Sequence, residues 1–397
     1  MKTSTSKRLR WNVAIWLAAG LFMTSTAGMA AGPIMPDPKA EARHQPQVEE
    51  TANGIPLVNI TAPSSGGVSR NEYETFNVPD KGAILNNSYT LSKTELAGYV
   101  QGNNNMAERP AKIIVNEVTG AGSTAMDGFL EVAGNRADVV IANPNGITVN
   151  GGGFINTGKA FLTTGKPVYD GEDHLQRFDI TGGDILIEGK GLGGKETGSL
   201  AILSRAVKIN AGIWAKDLHI TTGANTVDAK TLEASAIEGK GGRPAFALDT
   251  AAIGGMYAGR ITLVGTEKGL GVNNSGTWSA EDNLTLDWNG DLKNSGTIYS
   301  KGNADLRASH LENDKTIAAE RNLSAAAKEN IRNQGKLLAG ENMDIYAGKT
   351  LDNAGHAMES GNNLSIETGD TVNNAAGTIK SGGSQQIKAG HTLTNTE

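Results

Sequence analysis

The chain contains no cysteine. That absence removes disulfide staples, thiolate nucleophiles and cysteine-based metal sites together. Aromatic residues make up 5% of the 397 positions and charged residues 20%, so many thin layers suit the composition better than one bulky core. Past the amino terminus no apolar run is long enough to cross a bilayer as a helix. Positive charge is not in excess either. A formal net charge of −6 argues against nucleic acid or anionic lipid as the main partner. The six histidines (His44, His174, His219, His310, His356, His391) are scattered without HExxH or paired spacing, and His310, His356 and His391 fall near expected corners open to solvent. No serine sits in a GxSxG elbow, and the carboxylates are spread along the chain. What is plentiful is glycine, 52 residues, together with asparagine, which suits a fold that turns often.

The turns recur at a fixed step. An aliphatic residue is followed two places later by asparagine at Val272/Asn274, Leu292/Asn294, Leu311/Asn313, Ile331/Asn333, Leu351/Asn353, Val372/Asn374 and Leu393/Asn395. The aliphatic residues are 20, 19, 20, 20, 21 and 21 positions apart. Within each unit further in/out pairs alternate, such as Trp278/Ala280, Ile298/Ser300 and Leu284/Leu286. A period near 20 with two-residue alternation inside it predicts a solenoid whose unit is one β-coil of three short strands. The fold class is therefore all-β, a parallel β-helix with coils of about 20 residues and small extra-helical β elements. Stacked coils lie about 4.8 Å apart, so Asn274, Asn294, Asn313, Asn333, Asn353, Asn374 and Asn395 can form an amide ladder. Asparagine also tolerates the turn itself, and either role gives the same fold. Leu323 to Ile331 (LSAAAKENI) has high helix propensity but sits in register with its neighbours, so it is read as part of a coil.

In chain order, residues 1–30 read as a secretory signal peptide. Lys2, Lys7, Arg8 and Arg10 form the basic start, Trp11 to Met23 the apolar stretch, and cleavage is expected between Ala30 and Ala31. Residues 31–55 are rich in proline and charge without periodicity and read as an irregular leader. From Pro56 strands begin, and INAGIWAKDLHI from Ile209 repeats the later inward spacing. One β-helix is thus expected from about residue 60 onward, with Gly239 to Gly259 as an excursion and a rod on the order of 80 Å long.

Several long segments then occur in one order: Asn71 to Ser88 (NEYETFNVPDKGAILNNS), Leu96 to Asn105 (LAGYVQGNNN), Ala111 to Val118 (AKIIVNEV), Gly128 to Gly134 (GFLEVAG) and Ala137 to Asn156 (ADVVIANPNGITVNGGGFIN). Together they resemble the amino-terminal secretion domain of two-partner secretion exoproteins (TpsA-type). That family includes the filamentous haemagglutinin adhesins and the contact-dependent growth inhibition toxins. Ala251 to Gly276 resembles the haemagglutinin branch, where it leads into repeats. The resemblance implies a right-handed helix, a secretion (haemagglutination activity) domain over 56–271, and haemagglutinin-type repeats over 272–397. Many members carry a cysteine pair just after NPNG; the matching positions here are Val149 and Gly152.

Asn143-Pro144-Asn145-Gly146 comes after the strand-like Ala137 to Ala142 and is a β-turn by its chemistry, with Pro144 presetting φ and Asn145 and Gly146 tolerating the rest of the turn. The resemblance implies that this turn and Asn86-Asn87-Ser88 serve recognition by the outer-membrane transporter, by contact or by shaping the domain. Gly189 to Gly194 satisfies GxGxxG after a strand, but Lys195 to Ser199 leads to another strand where a dinucleotide site needs a helix. Gly158 to Lys166 is not a P-loop, because its glycine spacing is too long. No cofactor, metal or catalytic residue is assigned, and no enzyme is expected.

The expected function is a secreted exoprotein of a Gram-negative bacterium, acting as a filamentous haemagglutinin-like adhesin or stalk. Its expected partners are the Sec machinery, a TpsB-type outer-membrane β-barrel transporter engaged through periplasmic docking domains, and a host or bacterial cell-surface receptor. Three alternatives stand beside it: the secretion portion of a contact-dependent growth inhibition toxin, a haemolysin, and a β-helix carbohydrate enzyme. The chain stops at Glu397 within a coil begun at Leu393, which reads as a truncated member or as a piece of a longer exoprotein.

Overall fold

The computed structural model describes residues 32–106 and 109–397; the expected signal peptide and its Ala30/Ala31 cleavage point lie outside the described residues. Pro33–Glu397 forms one compact unit. It is a parallel β-solenoid of about 13 turns with about 21 residues per turn.

The alternation read in the repeats sets each strand's two faces. In Thr277–Ala280, Trp278 and Ala280 point inward and are fully buried, while Thr277 and Ser279 face out. In Leu284–Trp288, Leu284, Leu286 and Trp288 fill the core and Thr285 and Asp287 do not. Leu292–Asn294 supplies the third side, with Leu292 and Asn294 inside. Each strand pairs in parallel with its counterpart one turn later: Leu292 with Leu311, Ile298 with Ile317, Leu286 with Leu306. Like residues therefore stack on like. Each buried aliphatic side chain contributes roughly 1.5–3 kcal/mol from water exclusion. Leu323–Ala327, where helix propensity is high, is a strand with Leu323, Ala325 and Ala327 inward. Burial of the stacked face outweighs the intrinsic preference of a few alanines.

Two expectations of the chain's course are corrected. Residues 31–55 are not an irregular leader where described: Ile34–Pro36 pairs antiparallel with Val68–Phe76, and Gln47–Glu50 pairs antiparallel with Pro56–Asn59. Buried Ile34 and half-buried Val48 anchor these strands, which lie outside any periodic repeat and so escape pattern reading. The excursion is also not at Gly239 to Gly259. Phe246–Thr250 pairs in parallel with Ala206–Ile209, and Gly255–Gly265 joins the stack beside Gly212–Thr222. The true excursion is a four-stranded antiparallel sheet of Lys166–Tyr169, Leu175–Ile180, Asn225–Asp228 and Ala234–Ala236. It covers its own small core of Phe161, Phe178, Ile180, Leu203 and Val227. A second extra-helical element is the ribbon of Ser92–Thr94 and Gly98–Val100. Because residues are spent in these excursions, the stack is roughly 60 Å long at about 4.8 Å per turn, shorter than the sequence-based figure.

Candidate functional site

Asn86 and Asn87 of the Asn86-Asn87-Ser88 motif and Asn143 of NPNG are interior fasteners. Asn86, Asn87 and Asn143 are fully buried, and Ser88 nearly so. Asn86 donates from Nδ2 to Asn59 Oδ1 at 2.8 Å and to the Gln101 carbonyl at 2.9 Å. Asn87 accepts the Ala111 N–H at 2.7 Å on Oδ1 and donates to the carbonyls of Ala111 and Asn135, both at 2.9 Å. The Ser88 hydroxyl donates to the Thr90 carbonyl at 2.8 Å and accepts from Ser92 Oγ at 2.7 Å, holding the start of the ribbon.

NPNG is a closed turn at the end of Ala137–Ala142, with the Gly146 N–H donating to the Asn143 carbonyl at 3.1 Å and Gly146 at φ +111°. Asn143 donates to the Gly122 carbonyl at 2.9 Å and to Thr124 Oγ1 at 3.0 Å. Its Oδ1 accepts the Asn145 N–H at 2.9 Å. Asn145 Nδ2 reaches the Gly120 carbonyl at 2.8 Å. Pro144 is left exposed at the tip. Asn87 grips Asn135 just before Ala137–Ala142 and NPNG closes that strand's far end, so the two motifs sit at different corners about 20 Å apart. The structure does not bring them together. A Cβ built on Gly152 would lie 2.9 Å from Val149 Cγ1, so the two positions that match the family's cysteine pair are neighbours here.

In the repeats the asparagines bond in series. Asn274 Nδ2 donates to Asn294 Oδ1 (2.8 Å), Asn294 to Asn313 (2.8 Å), Asn313 to Asn333 (2.8 Å), Asn333 to Asn353 (2.7 Å), Asn353 to Asn374 (2.7 Å) and Asn374 to Asn395 (2.8 Å). From Asn274 to Asn353 the amide nitrogen also reaches a carbonyl of the next turn, as Asn294 does to Thr316 (3.1 Å) and Asn313 to Lys336 (3.2 Å), whereas Asn374 reaches Gly377 in its own turn (3.1 Å). A second ladder escaped the sequence reading. At another corner Asn322 Nδ2 donates to Asn303 Oδ1 (2.8 Å), Asn342 to Asn322 (2.9 Å) and Asn363 to Asn342 (3.1 Å), while Asn303 takes its backbone bond to Asn283 Oδ1 at 2.9 Å. The same 19-to-21-residue step was present in the sequence at these positions, but no aliphatic residue two places earlier marked them.

One charged cluster ties the amino-terminal strands to the extra-helical sheet. Glu72 Oε1 meets Arg70 Nη2 at 2.8 Å and His44 Nδ1 at 3.1 Å, and Glu117 Oε2 lies 3.4 Å from Arg70 Nη2. The Arg70 guanidinium sits 4.5 Å from the Tyr169 ring centre. Burial raises the Glu117 carboxyl above its usual range against the pull of Arg70. Burial, helped by Arg70, pushes His44 down. The cluster is a fastener of the same kind as the asparagines. GxGxxG is a corner, with Gly189 at φ +55° and Gly191 at φ +79°, and Leu192–Gly194 continues as a strand. Among the described residues no group of three or more histidines and carboxylates could hold a metal ion. No described helix is long and apolar enough to cross a membrane.

Comparison with known proteins agrees with this architecture. The TPS secretion domain profile matches residues 33–300, and the haemagglutinin repeat profile matches 299–356 and 344–397. The chain is similar to a toxin CdiA of Yersinia pestis, 41% identical over 297 residues, covering 69% of this chain and 9% of that protein. It is 40% identical over 327 residues to a 16S rRNA endonuclease CdiA of Enterobacter cloacae, covering 77% of this chain and 10% of that protein. The chain thus spans about a tenth of the length of the curated relatives it matches, and the activities in their names are theirs. Among solved structures it resembles a filamentous hemagglutinin secretion domain at TM-score 0.59 and 27% identity, covering 90% of this chain and all of that one.

Proposed function

The chain belongs to the family defined by the TPS secretion domain, and from that premise we propose that it is the secretion and stalk portion of a filamentous haemagglutinin-like adhesin. It is a two-partner secretion exoprotein, exported across the outer membrane to the cell surface or the medium, and its partner is a TpsB-type transporter. In our reading the chain crosses the inner membrane through the Sec machinery, meets the transporter's periplasmic docking domains unfolded, threads the barrel and winds up outside. A solenoid suits that order because each turn contacts only its neighbours, so folding propagates as residues emerge. Burial of each new turn then opposes backsliding.

The observation that carries the stalk reading is continuity. Parallel pairing passes from Gly255–Gly265 into Thr277–Ala280 and on through Thr378–Ser381 without a break, with the asparagine ladder running beside it. In our reading NPNG and Asn86-Asn87-Ser88 serve secretion by shaping the domain, a reading supported by the internal bonds of Asn86 Nδ2, Asn87, Ser88, Asn143 and Asn145 Nδ2. A second reading rests on the relatives named as CdiA toxins: the chain is then the base of a growth inhibition toxin, and any toxic activity lies outside these residues.

Export is tested by expressing the chain with and without the cognate transporter. Release only with the transporter supports the account, and undiminished release without it ends it. Attachment to host cells by the complete exoprotein then favours the adhesin, and inhibition of neighbouring bacteria favours the toxin.

A further inference from the structure

We propose that a cavity beside Asn87 binds a phosphate ester carried on a small, sugar-sized body. The cavity measures about 670 Å³ and opens between the segments around Ser64, Arg109 and Asn135. Arg109, Lys112 and Arg136 line it, against the single carboxylate of Asp138. Other cations on this side are engaged, Arg43 with Asp173 and Arg70 with Glu72, whereas these three have no ion-pair partner among the described residues. In a chain of net charge −6, three cations around one cavity, without an ion-pair partner among the described residues, mark a local site for an anion.

Contacts position Arg136 and the stem of Lys112. Arg136 Nη2 donates to the Thr157 carbonyl at 2.7 Å, which leaves the rest of its guanidinium fork free. The Lys112 N–H donates to the Gly67 carbonyl at 2.8 Å. The Lys112 stem covers Gly67, where a Cβ would come within 3.0 Å of its Cγ and Cδ. Asn87 fixes both loops at once, because it bonds Ala111, next to Lys112, and Asn135, next to Arg136. Asp138 is partly occupied elsewhere: its Oδ1 accepts the Lys159 N–H at 2.7 Å, and burial holds its carboxyl above the usual range against the pull of Lys159 and Arg136.

A guanidinium fork with two further cations suits the equatorial oxygens of a phosphate through charge-assisted bonds. The volume falls in the range of small-molecule sites, about 300–1,000 Å³, and exceeds what a bare phosphate needs. Pro63, Pro110 and Ala137 offer an apolar wall for the body of the ester. A soluble sugar phosphate and the phosphorylated headgroup of a glycolipid share this chemistry.

The test is calorimetric titration of the purified chain, in phosphate-free buffer, with glucose 1-phosphate, inorganic phosphate and glucose, beside sedimentation with vesicles bearing a phosphorylated glycolipid. Glucose 1-phosphate should bind, glucose should not, and Lys112→Gln/Arg136→Gln should weaken binding by at least about tenfold. The exposed Lys315→Gln should leave binding unchanged, and the unchanged melting of the double variant should show that it folds. Vesicle retention that the double variant loses assigns the lipid headgroup; soluble binding alone assigns the free ester. No binding of glucose 1-phosphate by the unsubstituted chain, or binding undiminished in the double variant, overturns the proposal. Equal affinity for inorganic phosphate overturns the assignment of a sugar-sized body.

Discussion

Replacing one rung of the asparagine ladder separates an interior role from a mere turn preference. Asn313 is fully buried. Its Nδ2 donates to Asn333 Oδ1 at 2.8 Å, to the Lys336 carbonyl at 3.2 Å and to the Lys315 carbonyl at 3.3 Å, and its Oδ1 accepts from Asn294 at 2.8 Å. Several of the partners keep other bonds after truncation: Asn294 retains the carbonyls of Gly296 and Thr316, and the Lys315 carbonyl retains the Lys336 N–H. Stranding is therefore partial. At about 1 kcal/mol for each of the four bonds, plus a small cavity, Asn313→Ala should cost about 4–5 kcal/mol. Asn313→Asp has the same shape but cannot donate when ionised, so it sets a buried carboxylate against three acceptors and should cost more. The folded state would hold that carboxyl above its unfolded pKa, so the penalty should shrink as pH falls. Asn395, exposed and joined by one bond, should lose under about 1 kcal/mol as alanine. Urea unfolding followed by tryptophan fluorescence measures all three, with Trp278 and Trp288 buried close to the ladder's start. Equal small losses for Asn313→Ala and Asn395→Ala would refute the ladder as a stabilising element.

Three other perturbations act on named contacts. Trp278→Ala removes a fully buried ring whose Nε1 donates to Thr250 Oγ1 at 3.0 Å, and should cost about 3–5 kcal/mol in the same unfolding assay. Burial pushes His219 down to about 4 from its usual 6.5. The unfolded chain therefore takes up a proton that the folded one refuses, so its share of stability is full above pH 6.5 and declines toward pH 4. His219→Gln should flatten melting temperature against pH in that window, and an unchanged slope would show that His219 is solvated. Asn87→Ala, which frees two loops, should reduce transporter-dependent release far more than Pro144→Ala at the exposed NPNG tip; the fraction released into the medium decides.

The repeats were legible because position and burial coincide there. Leu292, Leu311 and Ile331 recur at one step, and each lands inside. The amino-terminal strands were not, because Ile34 and Val48 pair antiparallel within a proline-rich stretch where no period announces a partner. Phe246–Thr250 reads from sequence as part of an excursion because glycines precede it, although Leu248 stacks on Val207 and Val272 like any other rung. The motif residues could be picked out by resemblance, but what they hold could not. Asn87 reaches Ala111 and Asn135, 24 and 48 residues away, through contacts that only the winding creates. The charged cluster of His44, Arg70, Glu72 and Glu117 likewise draws on two strands and a 3-10 turn that lie far apart in the chain.

We propose that the chain crosses the outer membrane unwound and stacks only afterwards. Ser279 and Tyr299 are outward-facing register partners on consecutive turns, so a disulfide between them is geometrically allowed and would close a full coil. The chain has no other cysteine to interfere. Release of the Ser279→Cys/Tyr299→Cys variant into the medium, with and without a thiol reductant during synthesis, measures the claim directly. The account predicts that the variant is retained when oxidised and released when reduced; equal release under both conditions would contradict it.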